Sequence, residues 1–320
     1  MRNGEEKSMR KVAFLLGVIV LFAAIGWAGE FQGSKIIITS VVTGDTELFV
    51  VDPYFGDWQN ISRSPASQER YPMWSPDGSK VVFTSDRDGE DTYNVYVMDA
   101  DGSNVHALTH VKPHGDCYFP TWSGNLIYFG YDPGDGSEAM IGRVSQDGRG
   151  FTLIAPGRDP AISPDGKTIA FTQKVGKGYP VFVIDADGKN VRQLTTHEDE
   201  IGAVTPTWSP DGKKILYSDT IGETLELFVC DRDGKNQKQL THLGKIASSP
   251  AWSPDMKYIT FRVTDYPYWR YPDSKEYVYR EKKPDKRPVW VMGADGSNPR
   301  IIEALHFHCA LDGSRGVWKP

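Results

Sequence analysis

The sequence predicts an all-β protein assembled from one repeated four-strand unit, and three observations carry that expectation. A turn phrase recurs, Trp-Ser-Pro-Asp-Gly at 74–78 and 208–212, with near copies at 162–166 and 252–256. The recurrence has the period of a structural repeat: Trp74, Trp122, Ile162, Trp208 and Trp252 follow one another by 48, 40, 46 and 44 residues. Composition agrees, since 32 glycines, 21 prolines and 12% aromatic residues favour short strands and tight turns over helices.

Each unit reads as four strands in order. The first is x-Pro-x-Trp, beginning at Tyr71, Phe119, Asp159, Thr205 and Ser249. It ends in the turn phrase, where Ser and Asp bond back to the backbone, Pro fixes φ and Gly accepts a positive φ. The second alternates as in Lys-x-Ile-x-Phe. The third is the apolar run at 94–99, 179–185, 226–231 and 288–292, and the fourth ends in Leu-Thr. A self-similar four-strand unit at this period is the signature of a β-propeller blade. Units fall at about 70–110, 117–155, 158–196, 204–242 and 248–304. A further unit is split: residues 34–63 supply three strands and 306–318 the missing innermost one. The expected architecture is therefore a six-bladed β-propeller closed by pairing of the N- and C-terminal segments, which removes an open sheet edge.

Asp-Ala-Asp-Gly and its variants resemble fragments of calcium loops, but they lack the third acidic ligand and closing Glu. They stand where a hairpin must turn, and Asp-Gly is a common hairpin choice. The tryptophans of Pro-x-Trp are expected as wedges between blades.

The N-terminus carries a separate signal. Residues 9–11 are basic, 12–26 are uncharged and apolar, and Gly26-Trp27-Ala28 offers small residues to a peptidase. Residues 1–28 are expected to be a cleaved export signal, and residues 29–320 one propeller domain. Net charge is −6, and without residues 1–28 (four basic, two acidic) it becomes −8. An acidic surface argues against general nucleic-acid binding. Three cysteines, Cys117, Cys230 and Cys309, allow at most one bridge and make no disulfide framework.

Pro-x-Trp-Ser-Pro-Asp-Gly followed by Ile-x-Phe and Tyr-Val-Met-Asp-Ala-Asp-Gly-x-Asn resembles the repeat of TolB-like propellers, from Ser34 to Trp318. The resemblance implies the fold and a binding face made by the loops that lead from one blade to the next. It implies function less narrowly, because such repeats build binding proteins, lyases and the non-catalytic part of serine peptidases. A peptidase is not expected, since no hydrolase domain and no Gly-x-Ser-x-Gly elbow is present in the sequence.

Function is sought where the repeat breaks. Six of the seven histidines, His110, His114, His197, His242, His306 and His308, fall in or beside the binding-face loops, and His106 falls in a strand. In Glu303-Ala-Leu-His306-Phe-His308, the two imidazoles point to one side of a strand. His308 stands where other units carry Pro72, Pro120, Pro160, Pro206 and Pro250, and Arg70, Tyr118 and Arg158 match His306. A rim of Arg, His and Tyr suits a carboxylate or another anionic ligand. The same segment resembles the Gln-x-x-His-x-His of oligogalacturonate lyases, which implies Glu303, His306 and His308 as ligands of a divalent metal (Mn or Ca). Glu stands here for Gln, and that family has seven blades. The second break is a long insertion at 264–287, carrying Tyr268, Trp269, Arg270, Tyr271 and Tyr277, residue types that dominate binding surfaces.

The leading expectation is a non-catalytic scaffold without a cofactor, exported to a periplasmic or extracellular space. It would be monomeric, free of stable membrane insertion after cleavage, and would bind a protein or polysaccharide through its loop face. The alternative is a metal-dependent lyase or hydrolase acting on uronate-containing glycans.

Overall fold

The computed structural model describes residues 31, 33–54, 56–89, 92–196, 204–264, 288–302 and 317–320. Residues 1–28, expected to be an export signal, most of the insertion, and Glu303, His306 and His308 lie outside the described residues. Among those described, all regular structure is β-strand, and no helix is long and apolar enough to cross a membrane.

The strands form successive antiparallel meanders. The first comprises β1 (Ile36–Ser40), β2 (Glu47–Val51) and β3 (Trp58–Asn60). The second runs through β4 (Glu69–Trp74), β5 (Lys80–Ser85), β6 (Asn94–Asp99) and β7 (His106–Ala107). The third holds β8 (Asp116–Ser123), β9 (Leu126–Asp132), β10 (Met140–Ser145) and β11 (Thr152–Pro156). The fourth holds β12 (Arg158–Ile162), β13 (Thr168–Thr172), β14 (Val181–Asp185) and β15 (Arg192–Gln193). Next come β16 (Val204–Trp208), β17 (Lys214–Ile221), β18 (Thr224–Asp231) and β19 (Lys238–Gln239). The last are β20 (Ile246–Trp252), β21 (Tyr258–Thr264), β22 (Val289–Gly293) and β23 (Arg300–Ile301), followed by β24 (Val317–Trp318). β16–β23 form one eight-stranded sheet, because β18 and β20 meet in a parallel pair at Leu225 and Ile246. β24 returns to pair with β1, placing Trp318 opposite Ile36 and Val317 opposite Ile37.

The repeated phrases are turn and strand chemistry. In Ser-Pro-Asp-Gly, the Ser75 hydroxyl accepts from the Lys80 amide at 2.9 Å and donates to Asp77 at 2.7 Å. Ser163, Ser209 and Ser253 repeat the arrangement. In Asp-x-Asp-Gly-x-Asn, the asparagine amide reaches back to the first aspartate, as Asn104 does to Asp99 at 2.6 Å and Asn236 to Asp231 at 2.6 Å. Those asparagines hold left-handed φ values of 50–56° at Asn104, Asn190, Asn236 and Asn298, a conformation this residue tolerates. The threonine of Leu-Thr is equally local: Thr109, Thr195 and Thr241 each accept the amide of a third-strand residue at 2.9 Å. The equivalent hydrogen bond in the first meander is supplied by Ser62, which accepts from the Leu48 amide at 2.9 Å.

No meander buries its apolar face alone. Val82, Val95 and Leu108 share a cluster with Trp122, Ile127 and Phe129 of the next meander, and Ala161, Ala170 and Val183 share one with Trp208, Ile215 and Tyr217. The tryptophans are the expected wedges: Trp208 donates across the seam to the Ala161 carbonyl at 2.9 Å, and Trp122 to Met73 at 3.3 Å. The terminal strand is part of this packing, with Trp318 beside Phe31, Val289 and Val291, and Val317 beside Leu48 and Phe83.

Deleting Val317–Pro320 strips β1 of one of its two partners and empties space in two clusters, and truncations of single large buried side chains already cost about 3–5 kcal/mol. The shortened chain is expected to lose its cooperative thermal transition and aggregate. A soluble truncation melting within a few degrees of the parent, by circular dichroism, would show β24 to be dispensable.

Candidate functional site

The site begins with a distortion common to β4, β8, β12, β16 and β20. Tyr71, Phe119, Asp159, Thr205 and Ser249 have φ values of 48–54°, in the left-handed region, and each precedes a proline. The ladder slips one register there, between Arg70 and Met73, Tyr118 and Thr121, and Arg158 and Ala161. A left-handed non-glycine residue costs about 1–3 kcal/mol, so each position is held by its surroundings. A bulge re-aims the side chains beside it. Arg70, Tyr118 and Arg158 each immediately precede the left-handed residue and so share one register position. The residues that follow them line a small pocket of the size of a water: Tyr71, Pro72, Met73, Phe119, Pro120, Thr121 and Pro160. The Tyr71 and Phe119 rings meet at 4.2 Å between centroids.

The three side chains lie in different surroundings. Arg158 is exposed and pairs with Asp132 at 3.2 Å. Arg70 is half-buried, its guanidinium 4.3 Å from the centre of the Tyr93 ring. Tyr118 is only 8% exposed and its hydroxyl has no hydrogen-bond partner among the described residues. Its ring lies on Gly130, directly opposite in the ladder: a methyl there would come within 2.2 Å of the ring. Gly130 is thus the seat that lets the phenol turn inward. Burial pushes the phenol pKa well above its ordinary value, with Asp159 adding to the shift and Arg158 opposing it.

Residues that the sequence reading did not single out complete the cluster. Tyr93 joins the start of β8: its amide donates to Gly115 at 3.0 Å and its carbonyl accepts from Cys117 at 2.9 Å. Asp116 lies opposite Asp132 across the β8–β9 ladder. Burial raises the Asp116 carboxyl to about 6; Arg70 and Arg158 pull it down, and Asp132 pushes it further up. The hairpin register could have revealed this pair, because Asp116 and Asp132 flank the single turn at Gly124-Asn125. The bulge shifts that count by one and hid it.

His110, His114 and His242 are exposed, as is His106 in β7. His197, Tyr268, Trp269, Arg270, Tyr271 and Tyr277 lie outside the described residues, so the structure assembles only the Arg70, Tyr118 and Arg158 part of the expected rim. Among the described residues, no group of three or more His, Cys, Asp or Glu could hold a metal ion. Cys117 and Cys230 are buried thiols.

A family model described as the TolB beta propeller domain matches residues 18–202. The crystal structure of TolB from Acinetobacter baumannii superposes with a TM-score of 0.67 at 19% identity, covering 91% of this chain and 68% of that one. An oligogalacturonate lyase in complex with manganese superposes at 0.57 with 15% identity, covering 85% of this chain and 74% of that one. An uncharacterized peptidase of Bacillus subtilis, YuxL, is 28% identical over a stretch amounting to 35% of this chain. That stretch is 24% of YuxL, so this chain matches about a quarter of that relative's length.

Asp116 makes stability fall with rising pH. Its folded value, about 6, lies above the ordinary 3.8, so its contribution is fully present below pH 3.8 and lost as pH rises through 6. Asp116→Asn is expected to stabilise the chain at neutral pH by on the order of 1–3 kcal/mol, with the gain gone near pH 4. Urea titrations at several pH values check this, and a pH-independent difference would refute the assignment.

Proposed function

This chain belongs to the TolB beta propeller domain family, and on that premise we propose that it is an exported, non-catalytic, six-bladed propeller whose loop-rich face holds a protein ligand. The observation that carries the reading is the cluster where β4, β8 and β12 begin. It offers two guanidinium groups, a buried phenol and paired aromatic rings, the residue types on which binding surfaces concentrate their energy. Asp116, Tyr118 and Arg158 belong to strand starts of neighbouring meanders, so the loops leading into those strands open on the same face.

The ring is proposed to close on itself. In support, β4 lies against β8, β8 against β12, β12 against β16 and β16 against β20, while β24 lies against both β20 and β4. Tyr268, Trp269, Arg270, Tyr271 and Tyr277 would extend the binding face, since a connection between second and third strands emerges at the same end as the loops between blades. The apolar N-terminal run supports export to a periplasmic or extracellular space.

Replacing residues 267–286 with a short Gly-Ser loop tests the face. Thermal stability should stay close to that of the parent, because the repeat core does not include those residues. Proteins captured from an envelope extract and quantified by mass spectrometry should fall at least about tenfold, the scale of losing about 1.4 kcal/mol. Equal capture by both chains would reassign the segment to a passive cover.

A second reading, a lyase acting on uronate-containing glycans, is favoured by the likeness to the manganese-bound lyase. Glu303, His306 and His308 would hold the ion, and a carboxylate with two imidazoles is a donor set that fits Mn²⁺. Bound there, the metal would neutralise a uronate carboxylate. Added Mn²⁺ should then raise the melting temperature of the parent and not of the His306→Ala/His308→Ala variant. The response should fade below about pH 6, where imidazole takes up a proton. A parent indifferent to Mn²⁺ at neutral pH removes this reading.

A further inference from the structure

We propose that Asp135-Gly136 is a site of spontaneous covalent modification, at which the chain closes to an aminosuccinyl ring and reopens as isoaspartate. The proposal goes beyond the binding reading above and stands whether or not the loop face holds a protein.

Asp-Gly suits this reaction because a glycine, lacking Cβ, leaves its backbone nitrogen unshielded and free to turn. The described residues contain ten such pairs, beginning at 77, 88, 101, 135, 147, 165, 187, 211, 233 and 295. Nine of the ten glycine amides donate to the carbonyl three residues earlier at 2.7–2.9 Å, closing a tight turn. Gly136 is the exception, and its amide has no hydrogen-bond partner among the described residues. A donor held in a turn must break its hydrogen bond before its nitrogen can rotate onto a carboxyl, which slows ring closure.

Packing singles out the same position. A Cβ on Gly102 would lie 2.0 Å from the Ile61 carbonyl oxygen, and one on Gly296 2.6 Å from that of Leu240, so those turns are pressed against the preceding meander. A Cβ on Gly136 would meet nothing within 4 Å. Gly89 is equally open, yet Asp86 holds its amide at 2.7 Å. Among the ten pairs, a free amide and open surroundings coincide at Gly136 alone.

The carboxyl geometry is shared. Asp135 accepts from the Ser137 amide at 3.0 Å and hydroxyl at 2.5 Å, as Asp77 accepts from Ser79 at 3.0 and 2.8 Å and Asp101 from Ser103 at 2.9 and 2.6 Å. Each is an Asx turn that folds the carboxyl over its own glycine peptide. Asp77, Asp101, Asp135 and Asp295 also share the tripeptide Asp-Gly-Ser, so the residues that follow do not separate them.

In the reaction, the Gly136 nitrogen bonds to the side-chain carboxyl carbon of Asp135 and gives up its proton. One carboxyl oxygen leaves as water, with that proton and one taken from solvent. Water then adds to either ring carbonyl, breaks that carbonyl's bond to nitrogen and returns a proton to solvent. Opening at the side-chain carbonyl restores aspartate. Opening at the main-chain carbonyl leaves the backbone running through the side chain, one methylene longer, with a free α-carboxylate. Net charge is unchanged. The lengthened segment is the loop from β9 to β10, which leaves Asp132 beside Arg158 and passes the His114 carbonyl at Gly134.

The test incubates the full chain for weeks at neutral pH in heavy-oxygen water, both native and unfolded in urea. Each ring opening leaves one heavy oxygen in the chain, read by mass spectrometry of tryptic peptides, and fragmentation locates isoaspartate. In the native chain the peptide holding Asp135 should gain label at least about tenfold faster than any of the nine other pairs, equivalent to about 1.4 kcal/mol of barrier. In urea the four Asp-Gly-Ser pairs should react at like rates. Asp135→Glu, which would have to close a larger ring, should lose the labelling and keep the melting temperature. Uniform labelling of the native pairs, or none at Asp135, overturns the proposal. A preference for Asp135 that survives unfolding overturns it as well, since neighbouring residues and not the fold would then set the rate.

Discussion

Every meander in this protein depends on its neighbour to finish its core. Trp208 packs among residues of β12, β13 and β14 while standing on β16, and its indole N–H is satisfied by a carbonyl of the preceding meander. Removing any one sheet would therefore expose two apolar faces. Repeats of this kind gain stability from nearest-neighbour interfaces more than from each unit alone. The strain of the left-handed residues before proline is tolerable on that account, because neighbouring first strands pack against one another and hold the bulges in place.

Those bulges tie fold to function. Each displaces one strand start so that the residue before it leaves the regular alternation of the sheet. In Arg70 that displacement sets a guanidinium over the Tyr93 ring, in Arg158 it sets one beside Asp132, and in Tyr118 it carries a phenol into a seat that only glycine at position 130 leaves open. The same backbone distortion thus yields three chemically different outcomes, decided by what the facing strand allows.

The sequence disclosed whatever is local. Turn phrases, the asparagine that reaches back to an aspartate, and the threonine after leucine are satisfied within a few residues or across one hairpin, so their chemistry repeats wherever the letters repeat. The equivalence of Arg70, Tyr118 and Arg158 followed from alignment on Pro-x-Trp alone. What stayed hidden depends on register and packing. Asp116 reads as an ordinary loop acid until the β8–β9 ladder sets it opposite Asp132. Tyr118 reads as a rim residue until Gly130 is seen beneath its ring. His306, His308 and the aromatic insertion interrupt the repeat, and sequence patterning has least to say where a pattern stops.

The threonine hydroxyls have a consequence for how such a molecule can diversify. Thr109, Thr195 and Thr241 fasten the end of a fourth strand to the third strand of the same sheet, just before the chain departs toward the next one. The outgoing segment therefore starts from an anchored post whatever its length. Glu226 reinforces one such post by accepting from both Thr241 and the Gly244 amide. Insertions or exchanges beyond the post would be absorbed without loosening the sheet behind it. The scaffold can thus carry different loops as a handle carries interchangeable blades, leaving selection free to rewrite one surface while the rest stays constant.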